Sequence, residues 1–371
     1  MNVPMADLQA QHRALKPELM QAVEQVLSNC DFGGLGENTT FLEREIADYC
    51  GAKHALGVNS GTDALLLSLL AMGVGPGDEV ITPSFTFIAT GETICLAGAT
   101  PVFADIDPST FNLDPDAVEA KITARTKVIL PVHLFGQLAD MTRFRIMAQQ
   151  HGVALLGDAA QAIGAAHQGQ PLGAWGAANT LSFYPTKNLG ACGDGGMVLT
   201  DQEDIAEQVN LLRFHGSGGG YFHKKIGYCS RLDGMQAALL RVKAKRLPAW
   251  NEQRRQNAVL YDGALRGLEG RLALPCTESG NHHIYHQYTV RVADGKRNAL
   301  QKHLASRGVQ SAIYYPLPIH LQEAYSFLGY QHGDLPESEQ ASQEVLSLPI
   351  HPDLTPDQLE YAADAVRAFF A

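Results

Sequence analysis

Between about residues 55 and 200, short apolar runs alternate with stretches in which apolar residues recur every three or four positions. The runs are "HALGVNS" (54–60), "DEVITPS" (78–84), "TPVFADI" (100–106), "KVILPVH" (127–133), "VALLGDAA" (153–160), "NTLSFYP" (179–185) and "GGMVLT" (195–200). Their length and their Val, Ile and Leu content predict strands. Between them, "GTDALLLSLLAM" (61–72), "TFIATGETICLAG" (86–98) and "MTRFRIMAQQHG" (141–152) have helical spacing. Strands that are apolar throughout, separated by helices, predict a mostly parallel α/β sheet. Ligands of such sheets bind beyond the carboxyl ends of the strands. The polar residues that end these runs are therefore the first candidates: Ser60, Ser84, His133 and Asp158, with Ser182 inside its own run.

Further on, the stretch 237–268 reads as a long helix interrupted near Pro248. The pattern then becomes strand ("YHQYTVRV", 285–292), helix ("RNALQKHLASRG", 297–308), strand ("QSAIYY", 310–315) and helix. The last helix has a capping-box start, with Thr355 at the N-cap, Pro356 next and Gln358 at the third position. Two domains are expected: a large one over 1–248, including the N-terminal segment, and a smaller α+β one over 249–371.

Composition narrows the function. The 371 residues are 45% hydrophobic and 18% charged, as in a globular enzyme-sized protein, and the net charge of -11 gives no general attraction to nucleic acid or anionic membrane. The first twenty residues lack the apolar stretch and cleavage site of a signal peptide. No apolar run approaches the roughly 18 residues a membrane helix needs. The six cysteines are scattered without a CxxC pair, so a reduced, cytoplasmic setting is expected, with neither a disulfide framework nor a zinc site. "NHHIYHQYTV" (281–290) is rich in histidine, but His282 and His286 fall where alternation reads as strand, with no acidic or Cys partner nearby; no metal is expected.

The strand ends carry the chemistry. Ser60-Gly61-Thr62-Asp63 opens a helix, as a capping box, as a phosphate cup of backbone N–H groups and the Thr62 hydroxyl, or as both. Asp158 follows an apolar strand, with Gln161 three residues on. That spacing suits a helix cap, or a buried carboxylate aimed at a ring nitrogen with Gln161 at a phenolic oxygen. Lys187 lies in "SFYPTKNLGACGDGG" (182–196), after Ser182 and before Gly190, Gly193, Gly195 and Gly196. An exposed lysine is inert near neutral pH; a buried one becomes partly neutral and can attack an aldehyde. The glycines would let the chain turn tightly against a ligand. Phe87, after another strand end, could cover a flat ring or simply fill the core. Phosphate donors, an acid for a ring nitrogen, an aromatic lid and a lysine after a strand, in this order, compose a pyridoxal phosphate site.

The chain resembles the DegT/DnrJ/EryC1/StrS sugar aminotransferases, which are fold type I pyridoxal phosphate enzymes. The resemblance rests on "SGTDAL", "GDEVITPSFTFIAT", "PVFADIDPSTFNLDP", "PVHLFGQ", "DAAQAIGA", "SFYPTKNLGACGDGG", "SRLDGMQAA" and "YYPLPIHLQ", which span nearly the whole chain. It implies Lys187 as the Schiff-base lysine and general acid–base, Asp158 at the pyridine nitrogen and Gln161 at the phenolic oxygen. It further implies Phe87 stacked on the ring, and Gly61, Thr62 and Ser182 at the phosphate. It implies ping-pong transfer from an amino acid, by family habit L-glutamate (returning 2-oxoglutarate), through pyridoxamine phosphate (PMP) to a nucleotide-linked keto-hexose. "YYPLPIHLQ" resembles members that aminate C3 of the sugar, with C4 of a 4-keto-6-deoxy sugar as the alternative. Arg231, Tyr315 and His320 are then candidate substrate contacts, and a homodimer with shared active sites is expected. One position departs from the family: the pattern G-x-N-S-R-[LM]-D, whose Asn reaches the neighbouring subunit's cofactor phosphate, here reads "GYCSRLD", with Cys229 in place of Asn. Two rivals remain. A β-eliminase or desulfurase would need a mobile cysteine, and Cys192 sits in a glycine turn. A cofactor-binding regulator without turnover would not need the complete set of Lys187, Asp158 and Gln161.

Overall fold

The computed structural model describes residues 1–371, and its central feature is a seven-stranded sheet. Across the sheet the strands run His54–Val58, Gly196–Thr200, Ala178–Ser182, Ala154–Asp158, Thr126–Ile129, Glu79–Pro83 and Thr100–Ala104. Only Gly196–Thr200 is antiparallel to its neighbours. All seven runs read as strands in the sequence are strands here, and the three helical stretches form Gly61–Ala71, Ile88–Leu96 and Met141–His151.

Side-chain alternation explains why the runs are apolar throughout. Val80, Val128, Leu156 and Val198 pack into one core layer, beside the Gly61–Ala71 helix. Their chain neighbours Ile81, Ile129, Leu155, Met197 and Leu199 pack into the layer on the opposite face, with Phe144 and Phe183. Both faces are covered, so no position can be polar without a partner. Ile81 is fully buried, and Ile81→Ala would cost about 2–5 kcal/mol.

A second, three-stranded antiparallel sheet joins Leu272–Ala273, Tyr288–Val292 and Val345–Leu348. Its apolar cluster takes Ala258 and Tyr261 from the Leu247–Ala264 helix, Leu300 and Leu304 from Arg297–Ser306, and Leu359 and Val366 from Pro356–Phe370. It also takes Val3, which is fully buried and pairs with Val309. Val3 N–H donates to Gly308 O at 2.9 Å, and Gln310 N–H to Val3 O at 2.9 Å. The helical stretch around Pro248 is two helices, Gly234–Ala244 and Leu247–Ala264, with the proline in the first turn of the second. A proline there removes no helical hydrogen bond. The Thr355–Gln358 capping box is formed in both directions.

Two expected strands change. "QSAIYY" forms a single bridge, Ala312 to Ser347. Tyr314 and Tyr315 then pack toward the Phe85, Phe111 and Phe135 cluster beside the large sheet, leaving the small one. "YHQYTVRV" becomes strand only at Tyr288, because Tyr285 takes the left-handed backbone (φ 46°) and interrupts the extended run. His286 is therefore not a strand residue, and Asn281–His282 pairs in a small separate sheet with Ala166–His167.

Candidate active site

Asp158 is the last residue of its strand and is almost fully buried. Its N–H donates to Pro131 O and its carbonyl accepts from His133 N–H, both at 2.9 Å, so its backbone is fixed to the neighbouring chain. Its Oδ2 accepts the Thr90 hydroxyl at 2.8 Å and its Oδ1 accepts Ala160 N–H at 3.2 Å. No helix begins at Asp158, so it does not cap one with Gln161. Burial raises the pKa of the carboxyl; the Thr90 and Ala160 hydrogen bonds and the Lys187 charge oppose that rise.

After the Ala178–Ser182 strand the chain turns back on itself, with Lys187 N–H on Tyr184 O at 2.8 Å and Ala191 N–H on Phe183 O at 2.7 Å. Gly190 is required by this turn, since a Cβ there would lie 2.2 Å from Pro185 O. Gly196 is required by the neighbouring strand end, 2.2 Å from Ser60 O on the same construction. The space these two glycines free is thus taken by the chain itself. Lys187 keeps part of its surface accessible, yet its ammonium lies among dense protein. Desolvation lowers its pKa from 10.5 to about 8, opposed by the charge of Asp158. At pH 8 about half of such lysines carry the neutral, nucleophilic amine, against well under 1% for an unperturbed lysine.

The Gly61–Ala71 helix starts beside Ser182. Ser60 Oγ accepts Asp63 N–H at 3.0 Å, as half of a capping box. The other half is missing: Asp63 Oδ2 instead accepts the Ser230 hydroxyl at 2.7 Å, and Ser230 Oγ accepts Asn59 N–H at 3.3 Å. A Cβ at Gly61 would lie 2.7 Å from Ser182 Cβ, so glycine alone lets the helix start close on that strand. Thr62 is half-buried at the same start, and Ser182 Oγ, which accepts Tyr184 N–H at 3.3 Å, keeps its own proton to donate. The cup is cationic in effect through the free N–H groups of the first helical turn.

Gln161 Oε1 accepts Phe135 N–H at 2.8 Å, and its Nε2 donates to Tyr315 OH at 3.2 Å, leaving one N–H unused. Phe87, at the N-cap of the Ile88–Leu96 helix, is 55% exposed and so is not a core residue. Its ring lies 6.3 Å from that of Tyr315. Burial, and then Asp158, push the Tyr315 phenol above its ordinary pKa. Phe87, Asp158, Gln161, Lys187 and Tyr315 are therefore linked around one place.

Arg231 and His320 are engaged elsewhere. Arg231 Nη2 donates to Cys229 Sγ at 3.1 Å and its guanidinium lies 5.4 Å from the Phe214 ring centre. His320 is buried, with Nδ1 2.5 Å from Ser84 Oγ and Nε2 3.3 Å from Glu339 Oε1. Cys229 is exposed, next to the Ser230 that braces the helix start. All six cysteines are free, and no group of three His, Cys, Asp or Glu side chains is arranged to hold a metal ion.

Sequence reasoning missed the residues behind these. Thr86 and Thr90 hydroxyls lie 3.1 Å apart, and Thr90 holds Asp158. Asn188 Nδ2 donates to Asn251 Oδ1 at 2.8 Å, and His286 Nδ1 is 2.9 Å from Asn188 Oδ1. The available signal was a polar residue amid apolar neighbours: Thr90 within "TFIATGETICLAG", and His286 after Ile284 and Tyr285 and two before Tyr288.

The set fits pyridoxal phosphate: a cup that a Cβ at 61 would close, a carboxylate fixed for a ring nitrogen, an amide with one N–H to give, and a depressed lysine beside them. Comparison with known proteins agrees. A model of the DegT/DnrJ/EryC1/StrS aminotransferase family matches residues 13–367. A pleiotropic regulatory protein of Geobacillus stearothermophilus is 49% identical, covering 100% of this chain and 99% of its own. The UDP-N-acetyl-3-dehydro-alpha-D-glucosamine 3-aminotransferase of Acidithiobacillus ferrooxidans is 44% identical, over 98% and 97%. Among solved structures, S. venezuelae DesV superposes with a TM-score of 0.96 at 43% identity, covering 99% of this chain and 98% of its own. Bacillus subtilis ntda, with bound cofactor PMP, gives 0.93 at 31% identity, over 99% and 85%.

Proposed function

The chain belongs to the DegT/DnrJ/EryC1/StrS aminotransferase family and is a pyridoxal phosphate-dependent aminotransferase, and from that premise we propose that it moves the amino group of L-glutamate to C3 of a nucleotide-linked keto-hexose. The observation that carries the proposal is Lys187: an amine lowered to about 8 by burial, opposite a buried carboxylate that Thr90 fixes. Position 3 is supported by the name of the Acidithiobacillus relative and by "YYPLPIHLQ".

Bound here, pyridoxal phosphate supplies an electron sink for charge developing at the donor's α-carbon. Gly61, Thr62 and Ser182 would hold its phosphate, Phe87 would cover one ring face, Asp158 would accept the pyridine N–H and Gln161 would donate to the phenolic oxygen. Lys187 Nζ takes the α-proton of the amino donor and returns a proton, as base and then acid. Tyr315, tied to Gln161, is assigned to the substrate, as is Arg231, which gives Nη2 to Cys229 and keeps its other N–H groups to donate. His320 can join them only by exchanging Ser84 or Glu339 for a sugar hydroxyl.

We also propose a homodimer with shared active sites. Its support is the loop carrying Tyr221, Phe222 and Ile226, each more than four-fifths exposed, as unpartnered apolar surface. Division into a cofactor-binding part (1–248) and a smaller part (249–371) is supported by the separate apolar clusters around the two sheets; Val3 crosses the boundary, and so do smaller clusters that join Phe103 with Ile319 and Phe85 with Val345. No helix is long and apolar enough to cross a membrane, and a cytoplasmic location is part of the proposal.

The test is a panel of nucleotide-linked amino sugars run in reverse with 2-oxoglutarate. Glutamate formed from a 3-amino sugar is the expected result. Glutamate from 4-amino sugars alone would move the reaction to C4. No amine transfer with any amino sugar would favour a cofactor-binding regulator without turnover; the Geobacillus relative is named a pleiotropic regulatory protein.

A further inference from the structure

His286 is a buried imidazole for which the reaction above has no use. It sits against the site from two directions. Its side chain reaches Asn188, the residue after Lys187, with Nδ1 2.9 Å from Asn188 Oδ1. Its backbone is held to the loop that fixes Gln161: a Cβ at Gly136 would lie 2.8 Å from His286 N, Gln287 N–H donates to Phe135 O at 3.3 Å, and Phe135 N–H donates to Gln161 Oε1 at 2.8 Å.

The hydrogen-bond chain fixes its tautomer. Asn251 Nδ2 donates to Ile163 O at 3.0 Å, so Asn251 Oδ1 is an acceptor. Asn188 Nδ2 donates to it at 2.8 Å, which leaves Asn188 Oδ1 facing His286 as an acceptor. Nδ1 of His286 must then carry the proton, and Nε2 holds a lone pair. Nε2 makes no hydrogen bond in the protein and is not among its sealed, partnerless polar atoms, so it borders accessible space.

We propose that His286 is a positioning residue for the Lys187 amine, offering it an unprotonated Nε2 whose tautomer is set by the Asn251–Asn188 chain. Lys187 Nζ makes no hydrogen bond of its own, and its four rotatable bonds let it swing toward such an acceptor. The charged groups facing His286 are Lys187 and Arg254; the one facing Lys187 is Asp158. Burial first, then the Lys187 and Arg254 charges, hold the imidazole well below its ordinary pKa, so it stays neutral through the working range. A neutral acceptor orients the amine lone pair without competing for the carboxylate, and it stabilises the ammonium form by one hydrogen bond.

The inference rests on Lys187 being the reactive amine, so the experiment separates the two. Cofactor-free protein is labelled by pyridoxal phosphate and borohydride across pH, with the labelled residue mapped, and kcat and KM are measured on the holoenzyme. If the wild-type label is not on Lys187, the site assignment itself fails. With Lys187 labelled, His286→Ala is expected to move the labelling midpoint about one pH unit lower and to reduce kcat roughly 10–100-fold with little change in KM. Asn188→Ala, which removes the acceptor for Nδ1, should do the same to a smaller extent. Should His286→Ala not fold, His286→Gln and Asn188→Ala carry the test. A wild-type midpoint and wild-type kcat in these variants, whatever their melting temperature, overturn the proposal.

Discussion

Two lysines of this chain are depressed by burial, and they have opposite fates. Lys243, 1% exposed in the Gly234–Ala244 helix, donates to Gly190 O at 2.7 Å and meets His12 Nε2 at 2.9 Å. Lys187 has no such anchors, keeps accessible surface, and faces only the charge of Asp158. Burial lowers the pKa of both, so a depressed amine by itself does not make a nucleophile. What differs is occupation of the donor protons. Lys243 has given them to fixed acceptors and fastens the N-terminal helix to the turn after Lys187; Lys187 has them free.

Breaking each lysine should separate the two roles. Lys187→Ala is expected to remove turnover by about 10⁴-fold or more while leaving the melting temperature near that of wild type; full turnover would end the assignment. Asp158→Asn, which leaves a ring nitrogen without its anion, should cost roughly 10²–10³-fold in kcat in the single-turnover half-reaction with glutamate. Thr90→Val keeps shape and removes the hydroxyl, so Asp158 loses one of the bonds opposing burial; about tenfold in kcat is expected, and no loss would show that Ala160 alone fixes the carboxylate. Lys243→Ala should do the reverse of Lys187→Ala, costing roughly 1–3 kcal/mol in denaturant unfolding by stranding Gly190 O, with kcat kept within about tenfold.

The remaining test is in pH dependence. Lys187 titrates at about 8 when folded and near 10.5 when unfolded, so between those values the unfolded chain binds more protons. Stability of the cofactor-free protein should therefore gain from this residue as pH rises from 8 to 10.5, and the gain should vanish in Lys187→Met. Equal slopes in the two proteins would place the lysine in water rather than in a desolvated site.

Where the sequence is readable, local pattern and tertiary environment agree. The pairs Val80–Ile81 and Val128–Ile129 send one side chain to each covered face, so their strands are apolar runs and their ends stand out as polar. Lys187, Asp158 and Ser182 follow from that. Thr90 and His286 do not, because what makes them useful lies 68 and 98 residues away, at Asp158 and Asn188. The same holds for "QSAIYY", where the pull of Phe85 and Phe111 on two tyrosines overrides a strand pattern. Asp158 and Gln161 have a cap's spacing, and only the absence of a helix after them removes the cap reading.

Val3 has a consequence for how the chain is made. It is made well before its partners Gly308, Val309 and Gln310, and the whole seven-stranded sheet is encoded between them. At typical elongation rates the wait is some tens of seconds, long enough for the seven-stranded sheet to form meanwhile. The smaller core can close only once residues 308–310 have been made, when the segment around Val3 is drawn back onto them. A bulky insertion just ahead of Val3 should therefore slow maturation and expose the half-built cluster.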